Sequence, residues 1–288
     1  MPSLLKDLNR DIPTPVFNGL LYGSGGSGKT ELICSAIESE ELSPVLIITC
    51  ESMDPTLLKY QKLGVEVFDI PTYMRENNIR ATSVMKKLVK EIKDGNLPFR
   101  TIGFDGGSKL VNPIIYREVL QESKRSAESK NRSHDEEIME QSDYLRCTSR
   151  VFDWIESIRI SCIKHRINFI LTAREKIEDL VTPSYEGDFY YPDFNPELRR
   201  LVLHEFDFCY HMMAGTKLFD KSSTNKTKIS KKVWYLYTSP MSDRVIKSKL
   251  DGLQPKVINA KLMDIYKCVN SNCKVTEIEV EEEIGEEL

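Results

Sequence analysis

Short, continuous apolar runs recur along the first two-thirds of the chain, at Val16–Leu21, Pro44–Cys50, Val65–Ile70, Arg100–Asp105 and Ile167–Thr172. Each has the length of a strand and none alternates with polar residues, the pattern of strands covered on both faces. Between the runs, apolar positions return at helical spacing. Leu32, Ile33, Ala36 and Ile37 form one set, Leu57, Leu58 and Leu63 a second, and Val84, Met85, Leu88, Val89 and Ile92 a third. A long fourth set, Val151, Ile155, Ile158 and Cys162, lies within Ser142–Lys164. Strands alternating with helices predict an α/β core, a mostly parallel sheet flanked by helices. Past residue 200 the texture changes. Phe206–Met213, Lys232–Thr238 and Val245–Leu250 follow one another with polar turns such as DKSSTNKTKISK and no long helix. That predicts C-terminal antiparallel strands added to one edge of the sheet. Residues 111–141 and 176–200 fit neither pattern and read as long loops, which in a compact domain usually serve function. No repeat at solenoid periods is present.

The first strand-to-helix junction is LLYGSGGSGKTELI. Gly23-x-x-x-x-Gly28-Lys29-Thr30 fills every fixed position of the GxxxxGK[ST] loop, whose amides cradle nucleotide phosphates. The context is the required one, a buried strand before and an amphipathic helix after, so backbone N–H groups and the helix N-terminus both favour an anion. Gly23, Ser24, Gly25, Gly26, Ser27, Gly28, Lys29, Thr30 and Glu31 are therefore the candidate nucleotide contacts. Lys29 is placed to reach the β- and γ-phosphates and Thr30 to offer its hydroxyl to Mg²⁺. Hydrolysis needs in addition a carboxylate near the metal and a group that positions water. Asp105 ends one apolar strand and Glu51 directly follows another, and ligands of open α/β sheets sit at those strand ends. Asp105 either serves the metal or caps a turn; Glu51 either orients water or is simply solvated.

At these residues the chain resembles the RecA-type core NTPases, most closely the short RecA-like ATP-binding proteins of phages and viruses that assist recombination and single-strand annealing. YGSGGSGKT, IITCESMDP, TIGFDGG and FILTAREK match in order, and the likeness spans roughly residues 14–260. The resemblance implies a RecA-like P-loop NTPase core that binds ATP and Mg²⁺, hydrolyses ATP and acts on single-stranded DNA. In it Glu51 is the catalytic carboxylate, Asp105 and Thr30 serve the metal, and the 172–176 segment senses the γ-phosphate. Two departures stand out: Gly106 and Gly107 follow the aspartate where serine and a hydrophobic residue are usual, and Arg174 occupies a position that is commonly glutamine or histidine. Arg174 could contact phosphate through its guanidinium fork or pair with Glu175 or Glu178. The resemblance also implies a homo-oligomer, ring or filament, with basic residues of a neighbour completing the site, and a single-strand-binding protein among the partners. Arg244, Lys247 and Lys249 could supply such a finger, or the lysines could protect an edge strand. Sharing the same ATP site, a viral DNA-packaging or translocation motor and a P-loop small-molecule kinase are the rival readings.

The remaining features refine this picture. The 288 residues carry a formal net charge of −4, but TEIEVEEEIGEEL at the end holds seven glutamates and no base. Without those seven, residues 1–275 carry +3, a mildly basic body with an acidic tail. The expected division is an ATPase core over 1–262 and an extension with the acidic tail over 263–288. Residues 117–132 mix Arg117, Lys124, Arg125, Lys130 and Arg132 with Glu118, Glu122 and Glu128, so they read either as a basic stretch for a phosphate backbone or as a solvated helix. Tyr185, Phe189, Tyr190, Tyr191 and Phe194, followed by Arg199 and Arg200, are the ingredients of a base-stacking platform, or of a cluster that folds back onto the sheet. Seven cysteines, an odd number, read as reduced thiols, and CVNSNC lacks the second ligand pair that a zinc site needs. No apolar run approaches the roughly 18 residues of a membrane helix, and the first residues lack a signal-peptide core, so a cytoplasmic location without membrane partners is expected.

Overall fold

The structure, a computed structural model, describes residues 16–51, 53, 55–95, 97–129, 139–182, 185–222, 225–250 and 252–270. The chain begins with β1 (Asn18–Gly23), α1 (Lys29–Cys34), β2 (Val45–Thr49), α2 (Pro55–Gln61), β3 (Glu66–Asp69), α3 (Ile70–Asn77), α4 (Ala81–Asp94) and β4 (Thr101–Asp105). A short α5 (Gly107–Lys109) and a π-helical turn (Leu110–Ile115) lead into α6 (Tyr116–Glu128) and α7 (Gln141–Lys164). Then come β5 (Asn168–Thr182), β6 (Tyr185–Pro192), α8 (Pro196–Glu205), β7 (Phe208–Ser222), β8 (Asn225–Tyr237), β9 (Lys247–Ser248), β10 (Lys256–Ile258) and α9 (Leu262–Asn270).

The main path of the sheet runs β10-β8-β7-β1-β5-β4-β2-β3, and the six strands from β7 to β3 are parallel. Both faces are covered, as the unbroken apolar runs require. Leu20, Ile102, Phe104, Phe169 and Leu171 face α4, α6, α7 and α8. Leu21, Ile47, Ile170 and Tyr210 face α1, α2 and α9. Alternation along each strand divides the side chains between the two layers.

Two expectations change. The Phe206–Met213 run is the start of β7, which is parallel to β1; β8 and β10 extend the main path antiparallel, and β9, just two residues long, pairs antiparallel with β7 off that path. The two long loops contain regular structure. Residues 110–128 are helical apart from a kink at Asn112 (φ −131°, ψ 115°), and 176–200 hold the β5–β6 hairpin and the first half of α8. Alternating aromatic and acidic residues in a two-sided hairpin produce no apolar run, which is why the strand pattern was hidden there. α8 did carry a local signal, because Asn195 accepts the Leu198 amide at 2.8 Å and Pro196 sits in the first turn.

The acidic residues of 117–132 also have structural work. Glu118 is buried and accepts from the amides of Ala81 (2.5 Å) and Thr82 (3.1 Å) and from the Thr82 hydroxyl (2.6 Å), capping α4, whose own N-cap residue is Arg80. Glu122 pairs with Arg150 at 2.8 Å. Residues 130–138, with Lys130 and Arg132, lie outside the described residues. Because Glu118→Ala leaves three donors without their acceptor, a loss of about 2–3 kcal/mol is expected. Urea unfolding of the purified variant measures it.

Candidate nucleotide and catalytic site

β1 ends at Gly23, level with Arg174 of β5 and Met212 of β7, and the glycine-rich loop turns between these two neighbours into α1. Gly28 sits at φ 88° at the head of the helix, and a Cβ there would lie 2.5 Å from the Trp234 ring, so only glycine fits. No side chain caps α1, which leaves its first amides pointed at the loop. The Lys29 ammonium donates to the carbonyls of Gly23 (2.8 Å) and Ser24 (2.7 Å) and to the Ser27 hydroxyl (3.1 Å). Burial pulls its pKa down, against the opposing influence of Asp105, Glu175 and Glu51.

The two strand-end acids converge on this loop from β2 and β4. Thr30 donates its hydroxyl to one oxygen of Asp105 at 2.8 Å, and Thr172 of β5 donates to the other at 2.6 Å. Burial raises the pKa of Asp105, while the bonds from Thr172 and Thr30 hold it down. Arg174 donates to Glu51 at 3.0 Å, and both side chains are open to solvent. Together these groups line a cavity of about 450 Å³ with the P-loop on one side and Lys232 and Trp234 of β8 on another.

The Gly106-Gly107 departure has a steric cause. Gly106 adopts φ 94°, and a Cβ on it would come within 2.9 Å of Glu51 Cγ; one on Gly107 would meet the Thr172 carbonyl oxygen at 2.8 Å. Glu51 and the end of β4 approach closely because no side chain stands between them. Gly106→Ala should therefore displace Glu51 and lower turnover more than it lowers nucleotide affinity, a split that steady-state kinetics beside a binding titration would show.

The structure thus gathers Lys29, Thr30, Glu51, Asp105 and Arg174 around one cavity. Arg174 takes Glu51 rather than Glu175 or Glu178; Glu175 turns to His211 at 2.7 Å and Glu178 to Lys176 at 2.8 Å. Glu31 accepts from the Tyr60 hydroxyl (2.8 Å) and from Lys59 (3.1 Å). The three candidate finger residues all have partners within the chain: Lys247 donates to the last carbonyls of α8, Lys249 to Asp207, and Arg244 to Asp243. The aromatic cluster divides. Tyr191 and Phe194 are buried, with Arg199 stacked 3.8 Å from the Tyr191 centroid, whereas Tyr185 and Phe189 meet edge to face on the hairpin.

Strand order carries the fold assignment, since β5 lies between the P-loop strand and the strand that ends in Asp105. The core is a mixed α/β fold, a mostly parallel sheet flanked by helices with antiparallel strands at its C-terminal edge. No protein-family model and no curated protein matches the chain. Among solved structures it is similar to a KaiC-like protein from the hyperthermophilic archaeon Pyrococcus horikoshii OT3, 13% identical with a TM-score of 0.36 over 84% of this chain and 88% of that one. It is also similar to the flagellar accessory protein FlaH from Methanocaldococcus jannaschii, 12% identical with a TM-score of 0.41 over 88% and 92% of the two chains. No helix among the described residues is long and apolar enough to cross a membrane.

Sequence does not single out several of the cavity residues, among them Thr172, Trp234 and Lys232. The sequence marks Thr172 only as part of the 172–176 segment, although a hydroxyl in a buried strand is a polar group in need of a partner. Trp234 donates its indole N–H to the Gly26 carbonyl at 3.2 Å across a separation of 208 residues, and Lys232 stands beside it. No local pattern announces either.

Proposed function

We propose that this chain binds ATP with Mg²⁺ and hydrolyses it while acting on single-stranded DNA in recombination or annealing, as the short phage and viral RecA-like proteins do. The observation that carries the nucleotide reading is the convergence of the Lys29 ammonium, the Thr30–Asp105 pair and the Glu51–Arg174 pair on one cavity beside the glycine-rich loop. Thr30 and Asp105 fit a magnesium ion, because they present a hydroxyl and a carboxylate 2.8 Å apart and hard cations take oxygen ligands. When bound, the ion would neutralise phosphate charge. Glu51 is the group placed to orient the attacking water, and Arg174 holds its carboxylate. By exchanging Glu51 for the terminal phosphate, Arg174 would free that carboxylate for its task.

The DNA reading is supported by a groove that starts four residues after Asp105. Pro71, Met74, Ile79 and Pro113 give it an apolar floor, Arg75, Lys109 and Arg117 line it, and no acid does. It continues past Arg117 to Lys124. Apolar surface rimmed by cations suits unpaired bases on a phosphate backbone. In this reading residues 1–262 form the ATPase core and 263–288 an extension whose described part, in α9, packs through Ile265 against the α1 layer.

Phosphate release measured with and without single-stranded oligonucleotide tests the proposal. Stimulation by single strands is expected. Directional movement on duplex DNA would instead identify a motor, and phosphate transfer to a nucleoside a kinase.

A further inference from the structure

Three basic side chains line the nucleotide cavity, Lys29, Arg174 and Lys232. The first two have partners within the site. Lys29 gives its donors to the glycine-rich loop, and Arg174 pairs with Glu51 at 3.0 Å. Lys232 differs from both, because it is exposed and, among the described residues, makes no hydrogen bond or ion pair. Its ammonium nevertheless stands against the loop: a Cβ placed on Gly26 would lie 3.4 Å from Lys232 Nζ. The acids of the cavity are taken elsewhere. Glu31 accepts from Tyr60 and Lys59, Asp105 from Thr30 and Thr172, and Glu51 from Arg174.

The strand that carries Lys232 is held over the loop. Lys232 and Trp234 are two residues apart on β8 and so share one face. The Trp234 indole donates to the Gly26 carbonyl at 3.2 Å, and its ring fills the space that a Cβ on Gly28 would enter, 2.5 Å away. Behind the ring, the Trp234 amide donates to Asn259 Oδ1 at 2.9 Å and its carbonyl accepts from the Asn259 amide at 2.8 Å. The backbone is thus fixed beside the loop, while a flexible four-carbon stem leaves the ammonium and its three donors able to move onto a ligand.

We propose that Lys232 is a second phosphate-binding cation of this site and acts on the nucleotide bound by its own chain. The proposal rests on the nucleotide reading above and changes what that reading asks of a neighbour. Arg244, Lys247 and Lys249, the candidates for completing the site of an adjacent copy, are all held by partners within the chain. Lys232 instead supplies positive charge to the loop that its own strand covers. Lys29 meets the phosphates from the buried side and Lys232 from the solvent side, so the site is complete in one chain whether or not copies assemble.

Isothermal titration of the full chain with ATP and with inorganic tripolyphosphate, at saturating Mg²⁺, tests the contact. K232A should weaken both ligands at least about tenfold, the loss of one hydrogen bond to a charged group. K232R should recover most of that loss, since a guanidinium keeps the charge and the donors. An unchanged unfolding midpoint in both variants separates a lost contact from a folding defect. Action within one chain is read by mixing K232A with E51Q at an ATP concentration below the K232A dissociation constant. Phosphate release should stay at the average of the two variants measured alone, because neither chain carries both residues. A rise above that average would assign the lysine to a neighbour's site and overturn the proposal, as would K232A binding both ligands as tightly as wild type. Wild type that binds neither ligand would overturn the nucleotide reading and this inference together; equal, tight binding by wild type and K232A overturns this inference alone.

Discussion

Glu51→Gln should leave ATP binding nearly unchanged and lower turnover by about 10²- to 10⁴-fold, the range supplied by a positioned general base. The substitution keeps the shape of the side chain and an oxygen that can still accept from Arg174, which lies 3.0 Å away. What it removes is the negative charge that orients water and takes up its proton. Binding is read from Trp234, one of only two tryptophans, whose indole bonds the glycine-rich loop; the other, Trp154, is buried in the α7 layer. Turnover is read from phosphate release. Rates within about twofold of wild type would show that another group orients the water.

Removing the loop cation should act on the other parameter. For Lys29→Ala, ATP affinity is expected to fall at least about thirtyfold, because truncating one partner of a buried, hydrogen-bonded charge contact costs about 2–5 kcal/mol. The loop holds this ammonium with two carbonyls and a hydroxyl, all within 3.1 Å, and burial makes any replacement by water costly. Isothermal titration with ATP measures the loss, and an unchanged unfolding midpoint would show that it is not a folding defect. Affinity equal to wild type would remove the glycine-rich loop from the account of nucleotide binding. The two variants therefore separate holding the nucleotide from using it: Lys29 should appear in affinity, Glu51 in rate.

Sequence resolved some elements of this site better than others, and the difference follows from range. Lys29 and Thr30 were legible because a phosphate-binding loop is a local object, in which glycines, a lysine and a hydroxyl at fixed offsets lie between a strand and a helix. Glu51 and Asp105 were legible as strand-end acids, since each ends an unbroken apolar run. Arg174 was found by position but not by partner. Its true partner is 123 residues away, whereas the acids closer in sequence turn elsewhere, Glu175 to His211 and Glu178 to Lys176. The β5–β6 hairpin escapes a search for apolar runs because the aromatics of β6 alternate with acids and glycine and the far half of β5 mixes apolar residues with acids.

Local chemistry alone, then, determined the alternation of core strands and helices, the glycine-rich loop and the acids at two strand ends, because hydrophobic period and turn geometry are written within a few neighbouring residues. The tertiary structure alone decided that β5 lies between β1 and β4, that Arg174 meets Glu51 and that Trp234 lies over the P-loop. It also decided that the β5–β6 and β7–β8 ribbons run on past β1 on either side of that loop. Strand pairing and side-chain contact across many tens of residues are settled by which surfaces can be buried together, and no short stretch of sequence contains that information.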